Sequence, residues 1–130
     1  MVDKEKLMKA WDVFKKTKVM HFITFDGDYF FCRPMSGILQ GEDTIYAATS
    51  RDSKKVAHTK AFEKGAFYVY DPETHHYGSI SGKAKVDDDK EWREKLWVDS
   101  FTEYFPGGVD DKDYVYIKLK IKNVDFVTDV

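Results

Sequence analysis

The sequence predicts a mainly β domain, in which about six antiparallel strands form a small barrel with helices at its periphery. Apolar and polar residues alternate over residues 115–122, which is typical of a strand with one buried and one solvated face. Short turns, such as Asp26-Gly27-Asp28, separate β-rich runs at hairpin spacing. Helical periodicity is confined to shorter segments between these runs. A β-sandwich needs a similar number of strands and is the alternative architecture.

The N-terminal half of the chain predicts one helix followed by a three-strand meander. The helix covers residues 3–16, with Asp3 as its N-cap. Its apolar stripe consists of residues spaced three and four apart: Leu7, Ala10, Trp11 and Phe14. The three strands lie within residues 18–50 and are separated by turns at 26–28 and 41–43.

The C-terminal half alternates between helices and strands. A short helix over residues 53–64 is expected to end at Gly65. Two strands, another helix and a long final strand follow at 66–71, 75–86, 90–100 and 113–127. The second of these strands contains small residues at 78–82, and glycine inside a strand often marks a bulge or a close approach by a ligand.

The composition suits a single globular domain over residues 1–130. Of the 130 residues, 42% are hydrophobic, which allows a substantial core. The formal net charge of −2 gives no bulk basicity for nucleic-acid binding. One cysteine, Cys32, excludes an internal disulfide and a cysteine-rich zinc site. Because no apolar run approaches the ~20 residues of a membrane span, we expect a soluble, cytoplasmic protein.

Two adjacent lysines lie at the start of the helix at 53–64, where the helix macrodipole is already positive and acidic residues are usual. A helix N-terminus also offers unpaired backbone amides, so this corner would suit a dianion such as a phosphate monoester. The predicted anion site contains these side chains: Thr49, Ser50, Ser53, Lys54 and Lys55. Alternatively, Ser53 or Asp52 only caps the helix, and the lysines extend into solvent.

Arg33 directly precedes Pro34 in the second predicted strand. Because proline cannot donate to a β-ladder, strand pairing should be interrupted here. An arginine at such a break can present its guanidinium to a phosphate or a carboxylate. If residues 30–36 pair with 44–50, Arg33 lies at the same end of the barrel as the two lysines. The alternative is an ordinary surface arginine.

Other candidate residues give weaker indications. His75 and His76 are adjacent, so in a strand they point to opposite faces, and we expect no metal site. Cys32 has no evident base partner, and His58 is isolated, so neither is expected to be catalytic. The aromatic residues within 97–105 predict a helix packed on the barrel, a wall for a flat ring or a subunit contact.

Four segments together resemble the pyridoxamine 5′-phosphate oxidase-like split-barrel flavoproteins, and in particular the general stress protein 26 type. They are "CRPM" at 32–35, "TSRDSKKV" at 49–56, "YGSISGKAKV" at 77–86, and the run from "LW" to "YVYIKLK" over 96–120. Their order and spacing match as well, and the resemblance covers nearly the whole chain. It implies a six-stranded antiparallel split β-barrel and a homodimer that holds FMN at the subunit interface.

The resemblance also implies roles for individual residues. One group would run alongside the isoalloxazine ring, and its arginine would bind the phosphate: Arg33, Pro34, Met35 and Ser36. A second group lies beneath the flavin and its ribityl chain: Thr49 and Ser50. A third group would bind the phosphate: Ser53, Lys54 and Lys55. From the second subunit, two residues approach the ring and one flanks the pocket: Tyr77, Ser79 and Trp97.

The implied function is that of an FMN-dependent, stress-related oxidoreductase whose small-molecule electron donor or acceptor is unidentified. A non-catalytic protein that holds flavin as a buffer or sensor would use the same residues. A related barrel that binds a deazaflavin or heme is a third hypothesis, although the histidines are poorly placed as axial heme ligands. Oxidases of pyridoxamine phosphate proper carry a further arginine- and histidine-bearing segment that "NVDFVTDV" does not match, so we do not expect that reaction. No residue is indicated as a catalytic acid or base.

Overall fold

The computed structural model describes residues 2–128. Within this range it contains three α-helices: α1 (Lys4–Thr17), α2 (Lys54–Phe62) and α3 (Lys90–Leu96). The strands are β1 (His21–Phe25), β2 (Phe30–Pro34), β3 (Ile38–Gln40), β4 (Thr44–Ser50), β5 (Lys64–Tyr70), β6 (Tyr77–Asp87) and β7 (Tyr114–Val127). Two 3-10 segments, Asp99–Glu103 and Gly108–Asp110, lie between α3 and β7. The domain is therefore mixed α/β rather than mainly β with peripheral helices.

The seven strands form one antiparallel sheet in the order β2-β1-β5-β6-β7-β4-β3. β2 and β3 are the two ends of this sheet, although they follow each other in the sequence. Only residues 35–37 lie between them in the sequence. The chain therefore connects the two ends of the sheet, but β2 and β3 form no ladder that would close it into a barrel. Because all seven strands belong to one sheet, the sandwich alternative is wrong.

The expected count of six strands is also wrong, because the second predicted strand divides in two. Pro34 has no amide hydrogen and ends β2. The Met35 amide still donates to the carbonyl of Met20, 2.9 Å away. Gly37 then packs so closely that an added Cβ would lie 2.9 Å from the carbonyl oxygen of Tyr46. The predicted interruption at Pro34 is confirmed, and it separates β2 from β3.

Helix α1 forms as the sequence predicts and covers the main core. Asp3 is its N-cap and accepts a hydrogen bond from the Lys6 amide at 3.1 Å. The helix ends at Lys18, which adopts a left-handed conformation with φ 62°. The core cluster that α1 joins includes Leu7, Ala10, Trp11, Phe22, Ile45, Phe67, Ile80, Ile117 and Leu119. Each large apolar side chain buried here contributes roughly 1.5–3 kcal/mol to folding.

Helix α2 ends earlier than expected. It stops at Phe62, and Glu63 rather than Gly65 adopts the left-handed conformation that ends it, with φ 51°. Gly65 instead lies in β5, where an added Cβ would be 2.7 Å from the ring of Phe22. The glycine is therefore required by strand packing against the core and not by helix termination.

Helix α3 is also shorter than predicted and stops at Leu96. The extended conformation at Trp97 turns its ring edge-on to Tyr114, with ring centroids 5.4 Å apart. The Tyr114 hydroxyl donates to the carbonyl of Arg93 at 2.7 Å, and burial raises the pKa of Tyr114 to about 12. The helix thus gives way to a packed 3-10 segment because Tyr114 anchors its last turn.

A bulge interrupts the longest strand pair, β6 with β7. The register shifts between Ser81 and Gly82, so Ser81 pairs with Asn123 and Gly82 with Ile121. The sequence prediction that glycine marks a bulge in this strand is confirmed.

Replacing Gly82 with alanine should destabilise the protein strongly, because the new methyl group would overlap the carbonyl of Lys120. We expect Gly82→Ala to lower the free energy of unfolding by about 3 kcal/mol or more, measured by urea denaturation. Gly41→Ala is the matched control. Gly41 has φ 61° but no atom within 4 Å of an added Cβ, so its cost should be only about 1 kcal/mol. Equal losses in the two variants would contradict the steric argument.

Candidate functional site

A cavity of about 800 Å³ lies where the two ends of the sheet meet. Its walls are the connection between β2 and β3, the end of β4, the start of α2 and the segment after α3. Six of the residues singled out in the sequence line it together: Pro34, Met35, Ser36, Thr49, Ser50 and Lys55. The "CRPM" and "TSRDSKK" segments therefore converge, as the sequence predicts. The strand pairing from which this was predicted is wrong, because residues 30–34 pair with β1 and only residues 38–40 pair with β4.

The cavity is strongly asymmetric in character. Lys55 is the only charged residue in its lining and lies at the α2 end. The opposite wall is apolar and aromatic: Ile38, Leu96, Val98, Phe101, Tyr104 and Phe105. Tyr104 is 72% exposed and Val98 is 49% exposed, so this wall presents apolar surface to an incoming molecule. A ligand with one anionic end and one flat apolar end would match both regions.

Helix α2 begins at the cavity without a side-chain cap. Its N-cap residue, Ser53, is extended, and the Ser53 hydroxyl donates to the carbonyl of Ser50 at 2.9 Å instead of accepting a helix amide. The first turn contains no acidic residue. Because the first amides of a helix have no intrahelical acceptor, they remain available to an anion. Neither Ser53 nor Asp52 forms the side-chain cap of the alternative interpretation, although Lys54 is exposed as that interpretation expects.

Arg33 and Lys55 approach each other beside the cavity. Both are half-buried, and burial lowers the pKa of each side chain. The positive charge of Arg33 lowers the pKa of Lys55 further. No carboxylate within residues 2–128 forms a salt bridge with either of them or with Lys54. Two partly desolvated cations without a counter-ion form a site that favours an anion.

The two adjacent lysines are not equivalent. Lys55 lines the cavity, whereas Lys54 is exposed and its Nζ lies 5.5 Å from the centroid of the Phe31 ring. Lys54 thus contacts β2 through an exposed cation–π contact, which is worth about 0.5–1 kcal/mol, and it does not line the cavity. The structure separates two residues that the sequence pattern had grouped.

Six of the predicted residues are not in the cavity lining of their own chain: Arg33, Ser53, Lys54, Tyr77, Ser79 and Trp97. Trp97 packs behind the aromatic wall, with its ring centroid 5.7 Å from that of Phe101. Tyr77 and Ser79 lie on β6, and the Tyr77 ring is 6.2 Å from that of Tyr68 on β5. Their prediction as residues of a second subunit stays a prediction.

One face of the sheet around Tyr77 and Ser79 is half exposed and rich in apolar groups. We call it the outer face, and it comprises His21 and Ile23 on β1, Ala66 and Tyr68 on β5, and Ser79 and Ser81 on β6, which lie side by side in the register. Two further cavities, of about 670 and 280 Å³, open onto it. At its edge, Lys16 bridges Asp71 and Glu73 at 2.9 Å each, and this contact lowers the pKa of Asp71 to about 2.

Sequence reasoning missed several cavity residues: Gly37, Ile38, Ala48, Leu96, Val98 and Ser100. Most are small or apolar and carry no chemical motif. A usable signal existed for Ala48, which shares one face of β4 with Ser50 through the period-two alternation of a strand. No local signal indicates Val98, because its position depends on where α3 ends.

Within residues 2–128, no group of three or more His, Cys, Asp or Glu side chains is arranged to hold a metal ion. His75 lies in a turn with φ 65°, and its Nδ1 is 2.7 Å from the Tyr70 hydroxyl. None of the helices in this part of the chain is long and apolar enough to cross a membrane.

Comparison with known proteins identifies the chain's relatives. A family model described as "Pyridoxamine 5'-phosphate oxidase like" matches residues 5–126. No curated protein is significantly similar to the chain.

Solved structures share the fold at low sequence identity. General stress protein 26 from Bacillus anthracis is 20% identical with a TM-score of 0.79, and the match covers 95% of this chain and 92% of that one. The general stress FMN/FAD binding protein from Xanthomonas citri is 21% identical with a TM-score of 0.79, covering 98% and 92%. A pyridoxamine 5′-phosphate oxidase-related, FMN binding protein from Nostoc punctiforme is 11% identical with a TM-score of 0.73, covering 93% and 82%. These likenesses establish a common split-barrel fold.

Proposed function

The chain belongs to the pyridoxamine 5′-phosphate oxidase-like family, and we propose that it is an FMN-binding flavoprotein with oxidoreductase activity. The observation that carries the proposal is the uncapped start of α2 beside Lys55 and Arg33. These groups form a cationic site without acidic partners, next to a cavity large enough for a flavin. Family relatives of the same fold are described as FMN/FAD binding and FMN binding proteins. A cytoplasmic location is part of the proposal, because a single free cysteine suits a reducing compartment.

The phosphate of FMN would be held at the α2 end of the cavity. Backbone amides at the start of α2 would supply hydrogen bonds, and Lys55 and Arg33 would supply charge. The Ser53 hydroxyl would join them by turning its hydrogen from the Ser50 carbonyl to the phosphate. Lys54, which does not line the cavity, would attract the phosphate only through its longer-range electrostatic field. The role of Lys54 is therefore secondary to that of Lys55.

The remainder of the flavin matches the rest of the cavity lining. Thr49 and Ser50 provide hydroxyls for the ribityl chain, and the connection from Pro34 to Ser36 would run along the ring. The apolar wall after α3 would exclude water from the ring. A polar ligand alone would leave this wall without a function.

A homodimer completes the proposed site. The outer face is half exposed and combines the apolar groups of Ile23, Ala66 and Tyr68 with polar side chains, and in a monomer it would remain uncovered. Tyr77 and Ser79 lie on it, outside the cavity of their own chain, and the family resemblance assigns them to the flavin of a second subunit. A second copy of the chain is therefore the occupant that we propose for this face.

Bound FMN would accept electrons or a hydride from a small-molecule donor and pass them to an acceptor. The protein's part is to bind the phosphate, orient the ring and exclude water. A non-catalytic flavin-binding role is the second candidate. It is favoured by the cavity lining, because none of its residues within 2–128 is a His, Asp, Glu or Cys that would serve as an acid, base or nucleophile.

The phosphate assignment predicts a difference between the two lysines. Lys55→Met should weaken FMN binding by about 10- to 100-fold, since a charge-assisted hydrogen bond is worth about 1.5–3 kcal/mol. Riboflavin, which lacks the phosphate, should bind the variant and the wild type equally. Quenching of flavin fluorescence measures both affinities.

Lys54→Met is the matched control and should change FMN affinity by less than about threefold. Without flavin, Lys55→Met should be at least as stable as the wild type in urea, because it removes a half-buried cation beside Arg33. A greater loss of FMN binding in Lys54→Met than in Lys55→Met would show that the phosphate lies beside Lys54 and not beside Lys55 in the cavity.

Turnover distinguishes the two functional candidates. If the protein is an oxidoreductase, anaerobic NADH or NADPH should bleach the visible absorbance of the bound flavin, and an added acceptor should restore it. A protein that binds FMN but is reduced by neither nucleotide would support the buffer or sensor role instead. A colourless purified protein that does not quench added FMN would contradict both.

A substitution at the centre of the outer face tests whether this face forms the dimer interface. Ala66→Arg should convert the protein to a monomer and reduce FMN affinity at least tenfold, because a guanidinium at the centre of an apolar interface lacks a partner. Light scattering gives the mass, and Met8→Arg, on the exposed side of α1, is the control. A wild-type monomer that binds FMN tightly would be incompatible with a shared site.

A further inference from the structure

We infer that Thr24 and His58 are positioning residues that orient the Arg33 guanidinium toward the flavin phosphate. The inference rests on the proposed function, since it concerns the same anion site. Neither residue lines the cavity, and neither belongs to the segments that carry the family resemblance. They act through Arg33 and do not touch the ligand.

Arg33 is anchored through only one of its two terminal nitrogens. Nη1 donates to the Thr24 hydroxyl at 2.8 Å, the carbonyl of Phe22 at 3.1 Å and the carbonyl of Phe31 at 3.3 Å. Within the part of the chain that the structure describes, Nε and Nη2 form no hydrogen bond. The guanidinium is thus fixed on one side by β1 and β2, and its remaining donors are free for an oxyanion.

The hydrogen bonds around Thr24 fix the direction of the network. Arginine can only donate, so the Thr24 oxygen accepts from Nη1 and keeps its own hydrogen for another partner. That partner is the Nδ1 of His58, 2.8 Å away. Thr24 is 1% exposed, so water is not an alternative acceptor. His58 therefore accepts at Nδ1 and carries its proton on Nε2.

The opposite assignment would leave a buried donor unpaired. If Nδ1 of His58 donated to Thr24, the Thr24 oxygen would accept from both neighbours and its hydrogen would have no acceptor. A buried unsatisfied polar group is costly, so this arrangement is disfavoured. The network runs in one direction, from Arg33 to Thr24 to His58.

His58 connects this network to the second half of the anion site. It lies on α2, one turn after Lys54, and its ring centroid is 5.0 Å from that of Phe31. The network therefore joins an arginine of β2 to the helix whose first amides face the cavity. Arg33 and the start of α2 are held at a fixed separation, as bidentate recognition of a phosphate requires.

The test compares FMN with riboflavin in three proteins: wild type, Thr24→Val and Thr24→Ser. Valine keeps the β-branched shape of threonine but cannot accept from Arg33. We expect Thr24→Val to reduce the preference for FMN over riboflavin by about 5- to 30-fold, as for the loss of a hydrogen bond to a charged group. Riboflavin affinity should stay within about twofold, and Thr24→Ser should restore the preference. If Thr24 had only a structural role, Thr24→Val would reduce the affinities for FMN and for riboflavin to the same extent.

Nitrogen-15 NMR of the wild-type protein tests the network without any variant. The His58 signals should show a protonated Nε2 and an unprotonated Nδ1, and a proton on Nδ1 would overturn the inference. Retention of the full FMN preference by Thr24→Val would also overturn it. A wild-type protein that does not distinguish FMN from riboflavin would instead refute the proposed phosphate site and remove the basis for the inference.

Discussion

The break between β2 and β3 is the constraint on which the site depends. Pro34 cannot donate to a ladder, and Gly37 leaves no room for a side chain beside the Tyr46 carbonyl. The chain must therefore cross from one end of the sheet to the other over residues 35–37. Met35 and Ser36 line the cavity because they make this crossing, and Arg33 stands at its edge because β2 ends there.

Lys55 at the cavity has no salt bridge to an acid within the described residues, unlike several lysines of α1 and α3. On α1, Lys9 lies 3.2 Å from Glu5 one turn away, and on α3, Lys95 lies 2.9 Å from Glu91. At the start of α2, Lys55 has Arg33 as its charged neighbour instead of an acid. The two neighbouring cations repel each other, and an anion bound as proposed would relieve that repulsion, which is the usual compromise between stability and function at a binding site.

Much of the fold could be predicted from local patterns, because β7, α1 and the interruption at Pro34 each follow from alternation, an apolar stripe or a missing amide hydrogen. The orientation of Lys54 and Lys55 could not. The α2 sequence buries only Val56 and Thr59 and has no strong apolar stripe, so its rotation is set by packing on β1 and β6. The position of Val98 likewise depends on Tyr114 holding the end of α3, a contact distant in sequence.

The place of β4 in the sheet has a consequence for biosynthesis. β4 carries Thr49 and Ser50 and pairs with the short β3 over 38–40, but it pairs with β7 along its whole length, 44–50 against 114–120. β7 is the last strand described, and domains emerge from the ribosome N-terminus first. A nascent chain therefore contains every cationic group of the site before it can assemble the strand that supports them. A cofactor bound as proposed could be loaded only after β7 has been synthesised and has paired with β4.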